Sequence, residues 1–141
     1  MNHNHFMSKA IENAKKNNHH FGSVIVKNNK IIAYPRKRPV GDPRFHAETE
    51  AIFNACKKLK TRELKGCTLY ATTEPCPMCF YMAWITKIPR IVYGASVNDA
   101  IRSGSPEIKV SAEFLNKKGN NKIKITKGIL KKECIKLLNS T

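Results

Sequence analysis

Two short stretches decide the interpretation of this chain: His46-Ala47-Glu48 and, further along, Pro75-Cys76-Pro77-Met78-Cys79. They supply one imidazole and two thiolates, which are ligands that Zn²⁺ prefers, and a carboxylate that can stand beside the metal without binding it. A structural zinc site is closed by four protein ligands, whereas a catalytic site keeps one position open for water. Three ligands therefore predict a catalytic site, with one zinc ion per chain held by His46, Cys76 and Cys79.

The cysteine pair also allows two other interpretations. A structural zinc knuckle would need a fourth ligand, for which His19, His20 or Cys67 is available. A thioredoxin-like redox pair would leave His46 and Glu48 unexplained. Because the two motifs occur together, each after a predicted strand, the catalytic metal site is favoured over both.

The chain around the two motifs alternates between patterns typical of strands and of helices. Apolar and β-branched runs predict strands over 21–26, 31–34, 66–72 and 90–94, and at Ile123 and Ile125. Apolar residues at helical spacing predict helices over 5–17, 47–59 and 129–138, and Pro75 predicts the start of another that runs from 75 to about 87. This order predicts a sheet covered by helices, while residues 95–121 show no clear pattern.

Local signals refine this outline. Asn28-Asn29 tolerates positive φ and predicts a tight hairpin between the first two strands. Pro75 predicts the start of the third helix, because proline is tolerated where the amide would be unpaired. Asp99 predicts a helix cap. The other three cysteines lie in apolar stretches and are expected to pack as small hydrophobic residues; they are Cys56, Cys67 and Cys134.

Bulk properties are those of a globular protein. The 141 residues fit a single zinc-dependent enzyme domain over 1–141, with 41% hydrophobic and 26% charged residues. No apolar run approaches the length of a membrane span, and the N-terminus lacks the apolar region of a secretory signal. Five cysteines, an odd number, argue against a disulfide framework. A cytoplasmic location without membrane contact is therefore predicted.

The formal net charge of +16 has two interpretations. A positive surface concentrates phosphate-bearing partners such as nucleic acid. Alternatively, lysines spread along an asparagine-rich chain reflect composition rather than binding. The dense basic cluster close to the motifs is Arg36-Lys37-Arg38.

Placement of all three ligands at the N-termini of helices has a physical use. Unpaired amides and the positive end of the helix dipole stabilise thiolates there, and they add to the metal charge in lowering the pKa of water. Glu48 lies two residues from His46, within reach of the open position. Its predicted role is to take the proton from water and pass it to a leaving nitrogen.

The chain resembles the cytidine deaminase-like superfamily, in which His-x-Glu and Pro-Cys-x-x-Cys form the zinc signature. It is most similar to the branch of guanine deaminases and tRNA adenosine deaminases. The resemblance implies an α/β fold, with three α/β/α layers around a five-stranded mixed sheet. It also implies hydrolytic replacement of an exocyclic amine by oxygen, contact of the base with the Ala47 amide, and usually a homodimer. The matching segments are Phe21–Val26, Asp42-Pro43, the two motifs and Ile125–Leu138.

The chain departs from this family in the loop before the zinc histidine. Relatives commonly carry an asparagine that fixes the base, where this chain has Tyr34-Pro35-Arg36-Lys37-Arg38. They also have threonine-alanine where this chain has Arg44-Phe45, and Phe45 either stacks on a base or packs in the loop. Glu107 falls near the position of an acidic residue in guanine deaminases, where a carboxylate can accept from a purine N–H.

We therefore expect a small nucleobase or nucleoside as substrate, in particular a purine such as guanine. The substrate-binding residues are predicted to be Ala47, Phe45 and Glu107. A tRNA adenosine is the second candidate, favoured by Lys124–Leu130 and the basic charge, although the chain lacks an arginine-rich aromatic tail after the last helix. Cytosine or cytidine is the third candidate. A zinc-containing nucleic-acid-binding module without turnover is the alternative that is not an enzyme, and the intact Glu48 argues against it.

Overall fold

A five-stranded mixed sheet with the strand order β2-β1-β3-β4-β5 lies at the centre of the molecule. The computed structural model describes residues 1–36 and 42–140. β1 pairs antiparallel with β2 and with β3, whereas β3, β4 and β5 run parallel to one another. The strands are β1 (Ser23–Lys27), β2 (Lys30–Ala33), β3 (Cys67–Thr73), β4 (Arg90–Ala95) and β5 (Lys124–Thr126).

Helices cover both faces of this sheet. α1 and α6 pack on one face, where Met7, Ala10 and Leu138 meet Val24 and Tyr70. On the other face, the core includes residues of α2, of α3 and of the start of α5. The predicted three-layer α/β/α fold is confirmed. The helices are α1 (His3–Lys16), α2 (Ala47–Leu59), α3 (Pro77–Ile85), α4 (Val97–Arg102), α5 (Ala112–Lys118) and α6 (Lys131–Leu138).

β3 is buried along its whole length, because both of its faces are covered. Leu69 and Ala71 contribute to the core under α2 and α3, whereas Tyr70 points into the core under α1. β3 and β4 are parallel, so their carboxyl ends lie at the same edge of the sheet. This edge, which is followed by α3 and α4, is where an open α/β sheet usually binds its ligand.

The boundaries of the third helix differ from the prediction. α3 begins at Pro77 and not at Pro75, and Cys76 is its N-cap, with an extended ψ of 170°. The physical reason is that a residue before proline is disfavoured in the helical region, and Cys76 precedes Pro77. His46 is likewise the N-cap of α2, which begins at Ala47 as predicted.

Other local predictions are confirmed. Asn28 and Asn29 have positive φ values of 51° and 61° in the β1–β2 turn. Ser96 is the N-cap of α4, and Asp99 contributes as the third helical residue of a capping box, since the amide of Ser96 donates to its carboxylate at 2.9 Å. Cys56, Cys67 and Cys134 are free, the last two fully buried.

The unassigned segment 95–121 contains α4 and α5. These helices have six and seven residues, too few to show an apolar stripe at helical period. The end of the chain also differs slightly, because α6 begins at Lys131, after the predicted Ile129 and Leu130. None of the helices in the described part of the chain has the length and apolar character needed to cross a bilayer.

Candidate active site

The three predicted zinc ligands come together at the N-termini of α2 and α3. His46 and Cys76 are the two N-caps, and Cys79 lies within the first turn of α3. The Nδ1 atom of His46 is 3.5 Å from the Sγ atom of Cys76 and 3.5 Å from that of Cys79. All three ligand atoms lie within 4.8 Å of one another.

This spacing fits a tetrahedral zinc ion. Ligand nitrogen and sulfur atoms bound at about 2.1 and 2.3 Å, at the tetrahedral angle, lie about 3.5 to 3.6 Å apart. The two nitrogen–sulfur distances of the site are both 3.5 Å. Two thiolates and one imidazole are also the donor set of catalytic zinc sites that keep a fourth position for water.

The fourth ligand that a zinc knuckle would need is not found at the site. Within residues 1–36 and 42–140, the group of candidate metal ligands at this position consists of His46, Cys76 and Cys79. His20 instead lies beside the C-terminal helix, where its Nδ1 atom is 3.2 Å from the carbonyl oxygen of Leu137. The three-ligand arrangement thus supports the catalytic interpretation.

The electrostatics of the site favour the thiolate form of one ligand, Cys76. Hydrogen bonds from the Cys79 thiol and from His46 lower the pKa of the Cys76 thiol to about 4, although burial opposes this shift. The pKa of Cys79 is raised, first by its hydrogen bond to Cys76 and then by burial and the charge of Glu48. One thiolate is thus already favoured before metal binding.

Glu48 is buried beside the ligands, with 6% of its surface exposed. Its negative charge raises the pKa of His46, after the larger effect of the hydrogen bond to Cys76, and Glu48 also interacts with the thiol of Cys79. The start of α2 is held by the hydroxyl of Ser23 in β1, which donates to the Ala47 carbonyl at 2.8 Å. Glu48 therefore stands where the sequence predicted, next to the metal site on a fixed helix terminus.

A cavity of about 330 Å³ opens over this site. The predicted residues Phe45, Ala47 and Glu107 all line it, together with Glu48 and two of the ligands. The size is at the lower end of small-molecule sites, which run from about 300 to 1,000 Å³. Five lining residues were not predicted from the sequence: Phe21, Thr73, Glu74, Ser105 and Pro106.

The unpredicted lining residues differ in how they could have been found. Phe21 lies two residues before β1 and belongs to one of the matching segments. An aromatic residue just before this strand could therefore have been predicted to line the cavity. Ser105 and Pro106 lie in an irregular segment, where only the fold reveals that the backbone returns to the cavity. The hydroxyl of Ser105 donates to the Glu107 carboxylate at 2.6 Å.

Phe45 both packs and lines the cavity. Its ring makes an edge-to-face contact with Phe53, with centroids 6.2 Å apart, and the guanidinium of Arg44 lies 5.2 Å from its centre. Asp42 fixes this turn by accepting hydrogen bonds from Arg44. The two uses considered for Phe45 are therefore compatible.

The basic cluster Arg36-Lys37-Arg38 is described only at Arg36, since Lys37 and Arg38 lie outside the described residues. The amide of Arg36 donates to the buried carboxylate of Glu50 at 2.6 Å. Arg36 borders a groove beside α1, together with Lys9 and Lys16. The side chain at this end of the cluster is thus near other cations and is not part of the cavity lining.

Fold and site together define a zinc-dependent deaminase. Residues 1–95 match the family described as cytidine and deoxycytidylate deaminase zinc-binding region, and the chain belongs to this family. The predicted enzyme class and the zinc cofactor are confirmed, because the family binds zinc and His46, Cys76 and Cys79 are positioned to hold a metal ion.

The relatives include deaminases that differ in substrate. The tRNA-specific adenosine deaminase of Bacillus subtilis (strain 168) is 32% identical over 145 aligned positions, which cover 96% of this chain and 85% of that protein. The guanine deaminase of the same organism is 37% identical over 111 positions, covering 74% of this chain and 71% of the relative. A solved structure of guanine deaminase from Nitrosomonas europaea has the same fold, with a TM-score of 0.80 at 23% identity, and the match covers 96% of this chain and 81% of that one.

Proposed function

We propose that this deaminase acts on a small purine-type base such as guanine and replaces its exocyclic amine by oxygen. The observation that carries this proposal is that Glu107 lines the cavity over the metal site. Glu107 and His46 line the same cavity, and the negative charge of Glu107 contributes to the raised pKa of His46 after the larger effect of the hydrogen bond to Cys76. A carboxylate acceptor next to the reacting position complements the ring N–H and amino donors of guanine.

Glu48 is proposed to move the protons of the reaction. His46, Cys76 and Cys79 would hold the zinc ion, whose charge would lower the pKa of water so that hydroxide is available near neutral pH. Oxygen then forms a bond to the ring carbon, and the bond from that carbon to the amine breaks. The Glu48 carboxylate takes a proton from water and delivers it to the leaving nitrogen, so that ammonia departs. Its burial strengthens this role, because water competes less for the carboxylate.

Four residues are proposed to hold the base. Phe21 and Phe45 present aromatic surface to the cavity, on which a planar ring can stack. Ala47 lies at the start of α2, where backbone amides are free of helical partners and can donate to a base oxygen. Glu107 accepts from the base on the other side, and its carboxylate is oriented by Ser105. The cavity thereby recognises both the flat face and the donor pattern of a purine.

A screen for ammonia release tests the substrate. Purified zinc-loaded protein is assayed with guanine, adenine, cytosine, the matching nucleosides and tRNA. Guanine is expected to give the highest kcat/KM. Release from cytosine or cytidine alone would replace the proposal by a pyrimidine deaminase, and no release from any compound would favour a binding module.

A tRNA adenosine is a second candidate, because the tRNA-specific relative matches 96% of this chain. The net charge of +16 also favours a polyanion. Inosine formation in tRNA, measured by nucleoside analysis after digestion, would establish this activity. Under the guanine proposal, inosine formation is absent while free guanine is consumed.

We also propose that the protein forms a homodimer through α2 and α3. α3 exposes Met78, Tyr81 and Ile85 at the spacing of one helix face, and Phe53 of α2 is exposed as well. A cluster of exposed apolar side chains is typical of a protein interface. Light scattering is expected to show a dimer for the natural chain and a monomer for Tyr81→Glu. Phe114→Glu, which changes an exposed aromatic on α5, is the control and stays dimeric. A monomeric natural chain at micromolar concentration would contradict this interface.

Residues 1–141 are proposed to act as one deaminase domain, because both ligand-bearing helices pack on the same sheet. A cytoplasmic location is proposed as well, supported by the five free cysteines. Limited proteolysis that separates two stable fragments would contradict the first proposal. Cell fractionation tests the second.

A further inference from the structure

Glu74 is a buried carboxylate between the metal site and the segment that carries Glu107. It follows β3 directly, lies two residues before Cys76, and has 6% of its surface exposed. Its backbone amide donates to the carbonyl of Ala95, at the end of β4, at 2.8 Å. The neighbouring strand ends are thus joined at this residue.

Both oxygens of the Glu74 side chain are used by one stretch of backbone, residues 96–112, called here the 96–112 segment. Oε1 accepts from the amide of Val97 at 2.8 Å, and Oε2 accepts from the amide of Ala112 at 2.6 Å. Val97 is the first residue of α4, and Ala112 is the first residue of α5. A single carboxylate therefore holds both ends of the segment beside the metal site.

The other hydrogen bonds of the 96–112 segment are mostly local, such as those from the amides of Ser103 and Ser105 to carbonyls of α4. Residues 105–111 contain neither helix nor strand. α4 contributes Ala100 to the core on the α1 side of the sheet, whereas Ala112 of α5 belongs to the core on the opposite side. The segment thus passes from one layer to the other across the end of the sheet, and Glu74 lies at the crossing. Ser105, Pro106 and Glu107 line the cavity within this passage.

We propose that Glu74 is a positioning residue for base selection, which acts through Glu107. This inference rests on the proposed function, in which Glu107 accepts hydrogen bonds from the base. Tying both ends of the segment to the residue before Pro75-Cys76 fixes the Glu107 carboxylate relative to the metal site. Ser105 then sets the orientation of that carboxylate locally. Loss of the hydrogen bonds to Glu74 lets the backbone of the segment move. If the Glu107 carboxylate is displaced by about 1 Å, it loses much of its ability to discriminate between bases.

The test uses Glu74→Gln in the zinc-loaded protein. Glutamine has the same shape, but its amide nitrogen cannot accept from a backbone N–H, so one of the two hydrogen bonds is lost. We expect exchange of the amide hydrogens in 103–111 to become about tenfold faster, the usual effect of one lost hydrogen bond. We also expect kcat/KM for guanine relative to adenine to fall about tenfold, with the zinc content unchanged. In a Glu107→Gln background, Glu74→Gln should change this base preference by less than about twofold, because the two residues act through one contact.

Asn116→Asp is the matched control. Asn116 is also buried, lies on α5, and bonds both the amide and the carbonyl of Ile123, away from the cavity. Exchange of carboxamide for carboxylate there breaks a hydrogen bond of similar kind. It should lower the melting temperature while leaving both the exchange of 103–111 and the base preference unchanged. If Glu74→Gln does not fold, Glu74→Asp is used instead, since the shorter side chain cannot reach both amides, and the same criteria apply.

The outcomes separate this inference from the proposed function. Absence of ammonia release from every base would remove the proposed function. Amide exchange does not depend on turnover, so it still tests whether the hydrogen bonds of Glu74 hold the 96–112 segment in place. Unchanged exchange in Glu74→Gln would overturn the inference. Faster exchange with an unchanged base preference would also overturn it, as would additive effects of Glu74→Gln and Glu107→Gln.

Discussion

The zinc site and the rim of the cavity are built in different ways. The ligands stand at the N-termini of α2 and α3, whose inner faces are packed in the core under the sheet. The rim, defined as Phe45 and Ser105–Glu107, stands on a turn and on irregular backbone at the surface. The chemistry is thus fixed by the packed core, whereas the choice of base depends on side chains that can change without disturbing that core. This difference predicts that changes at the zinc site remove turnover, and that changes at the rim alter preference.

The largest effect is expected at the ligands. A Cys76→Ala and Cys79→Ala double variant should lose the zinc ion, leaving His46 as the remaining ligand. Because zinc lowers the pKa of water from about 15.7 to about 7, we expect turnover to fall by more than about 10⁴-fold. Elemental analysis and an ammonia assay measure the two losses. Cys56→Ala, a half-buried cysteine of α2, is the control and should retain about one zinc per chain. Full zinc occupancy in the double variant would refute the assignment.

Glu48→Gln is expected to have the next largest effect. The substitution keeps the size and polarity of the side chain but removes its ability to accept a proton. Loss of a general acid–base group costs roughly 10² to 10⁴ in kcat. Zinc content and melting temperature should stay close to those of the natural chain. Glu12→Gln, an exposed glutamate of α1, serves as the control. Activity within a few-fold of the natural chain would remove Glu48 from the mechanism.

Glu107→Gln tests the rim. The substitution removes part of the acceptor capacity of the half-buried Glu107 carboxylate, and we expect kcat/KM for guanine to fall by the equivalent of roughly 1 to 3 kcal/mol. Zinc content should not change, and competition between guanine and adenine should shift toward adenine. Glu113→Gln, an exposed glutamate paired with Lys127, is the control. If both kcat/KM and base preference are unchanged, Glu107 does not select the base, and the proposed difference between the zinc site and the rim is contradicted.

The smallest effect is expected from salt. A free base carries no phosphate, so the KM for guanine should change by less than about twofold between about 50 and 200 mM salt. Binding of tRNA would weaken steeply over the same range, and neutralising Arg36, Lys37 and Arg38 would flatten the slope. A kinetic series at several salt concentrations measures this. Micromolar, salt-sensitive tRNA binding together with inosine formation would show that the substrate is tRNA and not a free base.

The sequence predicted the zinc site better than the rim, and the reason is physical. His46, Cys76 and Cys79 are recognisable because metal ligation restricts the residue type, and because the apolar stripe of α2 and the proline at the start of α3 indicate their helices. Glu74 gives no such signal, because its partners are backbone amides of Val97 and Ala112, far along the chain. Contacts between a side chain and distant backbone leave no pattern in the residues that supply the backbone. The helices α4 and α5 were missed for a related reason, since their length is below two turns.

Lysines in the two outer strands of the sheet suggest a second role for the positive charge. β2 and β5 are its outer strands, of four and three residues, and each has an edge that a strand from another molecule could extend. Lys30 begins β2, Lys124 begins β5, and Lys127 follows β5. Short outer strands and lysines at their edges oppose the addition of further strands. Part of the cationic surface thereby protects this small sheet from aggregation, whichever base the cavity accepts.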